Sequence, residues 1–166
     1  KQSNPETSRY FIDVALYWLR TAGIDGWRLD VADEISHIFW RDFRKAVKSE
    51  FPEALIVGEV WHHAPDFLQG DEWDSVMNYP FRTAIINFIR GWDAGQGLKH
   101  TVMSIVENYP QEVVHCNMNL LGTHDTPRIL TALVDDFDGS REEKAKRRLS
   151  RNNLEVARDR LLMASF

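Results

Sequence analysis

Apolar residues recur at helical spacing near the start of the chain, at Phe11, Val14, Ala15, Trp18 and Leu19. Asn4 can cap this first helix, Pro5 suits its first position, Glu6 its positive end and Gly23 its stop. The spacing then changes. Ile24 to Val31 is short and interrupted by glycine, which predicts a strand. Ile35, Ile38, Phe39, Phe43, Ala46 and Val47 mark a second amphipathic helix closed by Phe51-Pro52. Ala54-Leu55-Ile56-Val57 is a compact apolar run, expected of a strand buried on both faces in a parallel sheet.

The alternation continues with a strand over 74–79, helices through Phe81, Ala84, Ile85, Phe88, Ile89 and through Leu98, Val102, Ile105, Val106, Tyr109, and a strand over 117–122 that runs into the polar turn Thr123-His124-Asp125. Ser140 with Glu143 makes a capping box for one long final helix through Leu149, Leu154, Ala157 and Leu161. Strands alternating with helices imply an α/β fold with a parallel sheet. The four expected strands, near 26–31, 54–59, 74–79 and 117–122, are half of the eight that close a (β/α)8 barrel. No repeat, low-complexity tract or linker divides residues 1–166, so one domain is expected throughout. The pattern opens at Lys1 on a helix with no strand before it and ends at Phe166 where a strand is due. The chain therefore reads as part of a barrel, expected to self-associate or stay loosely packed unless another segment completes it.

Composition narrows the function classes. With 43% apolar residues the chain can bury a core, and 25 acidic residues against 20 basic argue against nucleic acid or an anionic membrane as the main partner. No apolar run approaches the roughly 18 residues that cross a bilayer. The single Cys116 rules out an internal disulfide framework and a multi-cysteine zinc site, and favours a cytoplasmic over a secreted location.

Three acidic residues hold equivalent places, each at the C-terminal end of an expected strand: Asp30, Glu59 and Asp125. In a parallel α/β sheet those ends share one face, where barrel active sites are built. A lone aspartate after a strand is more often a turn residue or helix cap; three on successive strand ends are better explained by shared chemistry. Glycosidic cleavage needs such a group, with one carboxylate at the anomeric carbon and a second, protonated, at the leaving oxygen. Crowding of like charges lets a single pH hold one acid and one base. Arg28, two residues before Asp30, projects to the same side of its strand and favours a charged carboxylate there; its bland alternative is a structural ion pair.

Gly26-Trp27-Arg28-Leu29-Asp30, Gly58-Glu59-Val60-Trp61 and Gly122-Thr123-His124-Asp125 resemble, in order, three signature regions of the α-amylase superfamily, glycoside hydrolase family 13. The stretches Asp25–Glu34, Met77-Asn78-Tyr79-Pro80-Phe81 and Asn119–Arg128 are similar to its neopullulanase, cyclomaltodextrinase and maltogenic amylase subgroup. The resemblance covers essentially the whole chain. It implies a partial (β/α)8 TIM barrel, roughly strands 4 to 7 with their helices, from the third helix to just before the eighth strand. It also implies a retaining hydrolase of α-1,4-glucosidic bonds, acting on cyclodextrins, pullulan, maltooligosaccharides and starch, with transglycosylation open. Asp30 matches the nucleophile, Glu59 the general acid/base and Asp125 the residue that grips the sugar and stabilises the transition state. Arg28 matches the arginine that orients the nucleophile, and His124 a sugar-binding histidine. Trp61 is a candidate sugar platform, while Asp33 and Glu34 fall where the family shapes acceptor subsites; the subgroup usually carries Asn in place of Asp33. Tyr79 and Arg128 match as structural supports.

The third-strand signature would lie upstream of Lys1 and the last histidine–aspartate motif beyond Phe166, so the chain alone is expected to be inactive or nearly so. No redox or nucleotide cofactor is implied, and no metal site; a structural calcium elsewhere and homo-oligomerisation stay open. His62-His63 reads as a solvated loop. Two alternatives remain: an enolase-type magnesium-dependent barrel enzyme, and a non-catalytic carbohydrate-binding barrel piece.

Overall fold

A computed structural model of the chain describes residues 4–134 and 139–165. Lys1 and Phe166, the ends at which the barrel is expected to be cut, lie outside them. The chain divides into two units, one of residues up to Tyr79 with Ser104–Met118, the other of Pro80–Met103 with Asn119 onward.

In the first unit, helix α1 (Pro5–Ala22) begins where the Asn4 side chain accepts the Glu6 N–H and ends at Gly23, in the left-handed conformation. Strand β1 (Gly26–Leu29) pairs in parallel with β2 (Leu55–Gly58), which pairs in parallel with β3 (Ser75–Val76); the order across the sheet is the order along the chain. A parallel pair needs a crossover, and α2 (His37–Glu50), capped by the Ser36 hydroxyl, supplies it between β1 and β2. Helix α2 buries Phe39, Trp40, Phe43 and Val47, each worth about 1.5–3 kcal/mol if fully removed from water. Trp73, 1% exposed, stacks on Phe67 with centroids 4.2 Å apart and meets Trp40 edge to face at 6.0 Å. Asp74 ties helix to sheet. It accepts from Arg44 at 2.7 Å and from the Ile56 N–H at 2.9 Å, and pairs with Lys48 at 2.8 Å. Burial pushes its carboxyl up, but those donors outweigh burial and hold it below the usual range.

The second unit is helical. It holds most of α3 (Tyr79–Ile89), the start of α4 (Gln96–Asn108), α6 (Ile129–Ala132), α7 (Arg141–Arg148) and α8 (Arg151–Ala164). Asp93 caps α4 by accepting the N–H groups of Gly97, Leu98 and Gly95, which keeps its carboxyl below the usual range. Arg90 and Arg160 donate to the Ala132 and Leu133 carbonyls that end α6.

Several expected elements change. Strand β3 is two residues long, because Asp74 spends its side chain on Ile56 and Tyr79 already opens α3. No strand forms over 117–122. With so short a partner the ladder reduces to a bridge between Met118 and Met77, and Asp125 stands in a turn and not at a strand end. The second helix starts at His37 and not near Ile35, after a 3-10 turn (Ala32–Glu34), and Ile38 is exposed. The capping box at Ser140 and Glu143 is present, but the single final helix is two. Ser150 takes an extended conformation as the cap of α8, and the Asn153 amide donates to the Arg147 carbonyl, so local side chains compete with the helical ladder. Helices α5 (Gln111–Cys116) and α6 have no counterpart in the sequence reading. No helix among the described residues is long and apolar enough to cross a membrane.

Candidate active site

Asp30 and Glu59 immediately follow β1 and β2, at the C-terminal ends of adjacent parallel strands. The register that makes them neighbours depends on two close approaches. A Cβ on Gly26 would meet the Leu55 carbonyl oxygen at 2.1 Å, and one on Gly58 would meet the Trp73 ring at 2.5 Å. Both signature glycines are thus required by the packing that aligns the strand ends.

Arg28 joins the two acids. Its side chain, half-buried, donates from Nη1 to Asp30 Oδ1 at 2.5 Å, while Nη2 lies 3.0 Å from Glu59 Oε1, an ion-pair contact without hydrogen-bond alignment. Its Nε donates to the Met77 sulfur at 3.4 Å, which fixes the plane of the guanidinium. Since one fork contacts both acids, their nearest oxygens are no more than roughly 8 Å apart. The two differ in shelter: the Asp30 side chain is 75% exposed and that of Glu59 6%.

Glu59 is also held from elsewhere. The Val31 N–H donates to Oε2 at 2.9 Å and the Trp61 indole N–H to Oε1 at 3.4 Å. Its backbone N–H donates to Leu29 O at 2.9 Å and its carbonyl accepts from Ala32 at 3.1 Å. Trp61, 53% exposed, lays one face on buried Tyr79 with centroids 4.0 Å apart and planes 9° from parallel. Asp33 is paired with His62 at 3.1 Å, and His62 Nδ1 donates to the His63 carbonyl; Glu34 is exposed on the same turn. A groove of about 410 Å³ lined by Phe11, Val14, Trp27, Phe39 and Phe43 reaches Arg28 and Asp30 but not Glu59.

The structure therefore brings together Arg28, Asp30, Glu59 and Trp61. Asp125 and His124 belong to the other unit. There the turn is closed by the Thr123 N–H on the Thr126 hydroxyl, His124 Nε2 lies 3.1 Å from Asp125 Oδ2, and both side chains are exposed. Arg128, exposed, precedes α6, and its carbonyl accepts from Thr131 and Ala132. Among the described residues no three His, Cys, Asp or Glu side chains gather into a metal site. Two contributors escaped the sequence reading. Met77 could have been found, since it opens the Met77–Phe81 motif. Val31 could not, because a β-branched residue is a poor candidate for a left-handed turn.

Parallel strands in chain order, with polar side chains gathered beyond their C-terminal ends, are the layout of a (β/α)-barrel enzyme. The model of the alpha amylase catalytic domain matches residues 1–154, and the chain belongs to that family. It is 48% identical over 135 residues to a cyclomaltodextrinase of Geobacillus thermopakistaniensis (strain MAS1), covering 81% of this chain and 23% of that protein. It is 47% identical over 133 residues to neopullulanase 2 of Thermoactinomyces vulgaris, covering 80% and 23%. Among solved structures, the ligand-free cyclic alpha-maltosyl-(1→6)-maltose hydrolase of Arthrobacter globiformis superposes with a TM-score of 0.75 at 42% identity, covering 79% of this chain and 30% of that one. The chain thus spans about a quarter of the length of the curated relatives it matches.

Proposed function

We propose that the full-length protein containing this chain is a retaining glycoside hydrolase of α-1,4-glucosidic bonds, with Asp30 as nucleophile and Glu59 as general acid/base. The observation that carries the reading is the single guanidinium of Arg28 in contact with both carboxylates at neighbouring strand ends. A retaining mechanism wants its two carboxyl groups about 5–5.5 Å apart, and one shared arginine, which keeps their nearest oxygens within roughly 8 Å, is compatible with that separation. Asp30 attacks the anomeric carbon while Glu59 gives its proton to the leaving oxygen. Glu59 then takes a proton from water, which attacks the same carbon and frees Asp30. Arg28 holds the Asp30 carboxylate by a charge-assisted hydrogen bond that aims it. On the likeness of Gly122–Asp125 to the family motif, Asp125 takes the role of the residue that grips the distorted sugar, and His124 that of a sugar-binding histidine.

Cyclodextrins, pullulan and maltooligosaccharides are the substrates that the named relatives suggest, with transglycosylation open, and the barrel portion is that of strands 4 to 7. Likeness to the intracellular maltogenic amylase of Bacillus subtilis (strain 168), 42% identical over 145 residues, 87% of this chain and 24% of that protein, favours an intracellular location. A magnesium-dependent alternative is disfavoured because the Arg28 guanidinium stands between Asp30 and Glu59, where such an ion would have to bind.

The test is Glu59→Gln in the full-length protein. Loss of cyclodextrin and maltotriose hydrolysis with calorimetric binding of maltooligosaccharides intact is the expected result; retained hydrolysis, or binding without turnover in the unaltered protein, overturns it. The 166-residue chain assayed by itself is expected to be inactive or nearly so, and ordinary turnover of maltotriose would refute that.

A further inference from the structure

Val31 is the only described residue other than glycine with positive φ, at φ 45° and ψ 47°. A β-branched side chain is strained there and persists only because its surroundings hold it. The conformation aims the Val31 N–H at Glu59 Oε2, at 2.9 Å. On the other oxygen, the indole N–H of Trp61 reaches Oε1, and Trp61 is itself fixed by its stack on buried Tyr79. Two neutral N–H donors on separate elements thus grip opposite oxygens of one nearly buried carboxyl group.

We infer that Trp61 and the left-handed turn at Val31 are positioning devices for Glu59, which aim its proton at the leaving oxygen. The inference rests on the glycosidase reading and deepens it. Trp61 keeps an exposed face, but its indole nitrogen acts on Glu59. When the bond from the anomeric carbon to the leaving oxygen breaks, its electron pair stays on that oxygen and the proton of Glu59 neutralises it. A fluoride leaving group departs as the anion and needs no proton. Misaiming Glu59 therefore slows cleavage of poor leaving groups and spares fluoride.

The experiment compares maltotriose and α-maltosyl fluoride in the full-length protein and in Trp61→Phe, which keeps a ring over Tyr79 and removes the N–H. Expected is a fall in both kcat and kcat/KM on maltotriose of about 30-fold, part of the 10²–10⁴-fold that proton transfer supplies, with kcat/KM for the fluoride, which reports only formation of the glycosyl intermediate, within about threefold. An equal fall on both substrates, or a change confined to KM, would mean a sugar platform or a structural prop and overturns the proposal; so does an unchanged kcat. Replacing the Val31 amide by an ester, through the corresponding hydroxy acid, removes the second donor alone and is expected to give the same contrast between substrates. An unaltered protein that turns over neither substrate indicts the glycosidase reading itself, which separates the two failures.

Discussion

Replacing Gly58 with alanine puts a methyl group 2.5–2.7 Å from three ring carbons of Trp73, about 1 Å inside a normal carbon–carbon contact. Trp73 has little room to yield, being 1% exposed and held between Phe67 and Trp40. The backbone is no freer, since Gly58 is opposite Leu29 on one side and Val76 on the other. Overpacking of this kind costs about 1–3 kcal/mol, and the rigid surroundings place Gly58→Ala at the upper end. Stiffening of the unfolded chain returns up to about 1 kcal/mol. The net expected loss is about 2 kcal/mol, a fall in Tm of roughly 4–8 °C for a chain of this size. Thermal unfolding followed by circular dichroism measures it. In a Trp73→Leu background, where the obstructing ring is gone, the same change is expected to cost under about 0.5 kcal/mol, a coupling of about 1.5 kcal/mol. Equal costs in the two backgrounds, or a wild-type cost below about 0.5 kcal/mol, would refute the claim that ring contact fixes glycine at this position.

Arg28→Lys replaces a fork by a point charge that reaches one carboxylate at a time; kcat of the full-length protein is expected to fall about 100-fold or more with the circular dichroism spectrum unchanged. Asp74 has a folded-state carboxyl below its ordinary range, so its contribution is complete above the unfolded value near pH 4 and is lost as the pH falls through the lower folded value. Profiles of Tm against pH from 2 to 6 are accordingly expected to fall less steeply toward acid in Asp74→Asn, which is less stable at pH 6. Asn4→Ala, which deletes the acceptor for the Glu6 N–H, is expected to cost about 1 kcal/mol by urea unfolding.

Helix α1 was legible because every signal for it is local: cap, proline, apolar stripe and terminal glycine all lie within its own residues. Strands β1 and β2 were legible for the same reason, and the two carboxylates with them. The shortening of β3 and the loss of a strand over 117–122 were not, because a strand exists only through its partner, and Asp74 spends its carboxylate on the neighbouring backbone. The break at Ser150 was hidden because Leu149 continues the apolar spacing, yet its side chain is 72% exposed and offers no burial to hold a continuous helix. At the site, charge and spacing announced Arg28, Asp30 and Glu59. Of the donors that orient Glu59, Val31 stood out in no pattern, and Trp61 stood in the Gly58–Trp61 motif but was read as a sugar platform. One is a main-chain amide and the other a side chain whose ring contact is with a residue 18 positions away.

The two carboxylates are held unequally, and the inequality suits the work proposed for each. Asp30 is gripped by one guanidinium nitrogen and is otherwise open to solvent. A nucleophile must travel, closing on the anomeric carbon and then carrying the sugar, and a single pivoting contact permits that movement. Glu59 is enclosed, with an N–H on each oxygen and backbone hydrogen bonds to Leu29 and Ala32 on either side of its Cα. An acid that delivers a proton and later removes one from water serves the same point in space twice, so a fixed carboxyl loses nothing by rigidity and gains accuracy in both steps. Loosening Glu59 should therefore damage both halves of the reaction, whereas loosening Asp30 should damage mainly the attack.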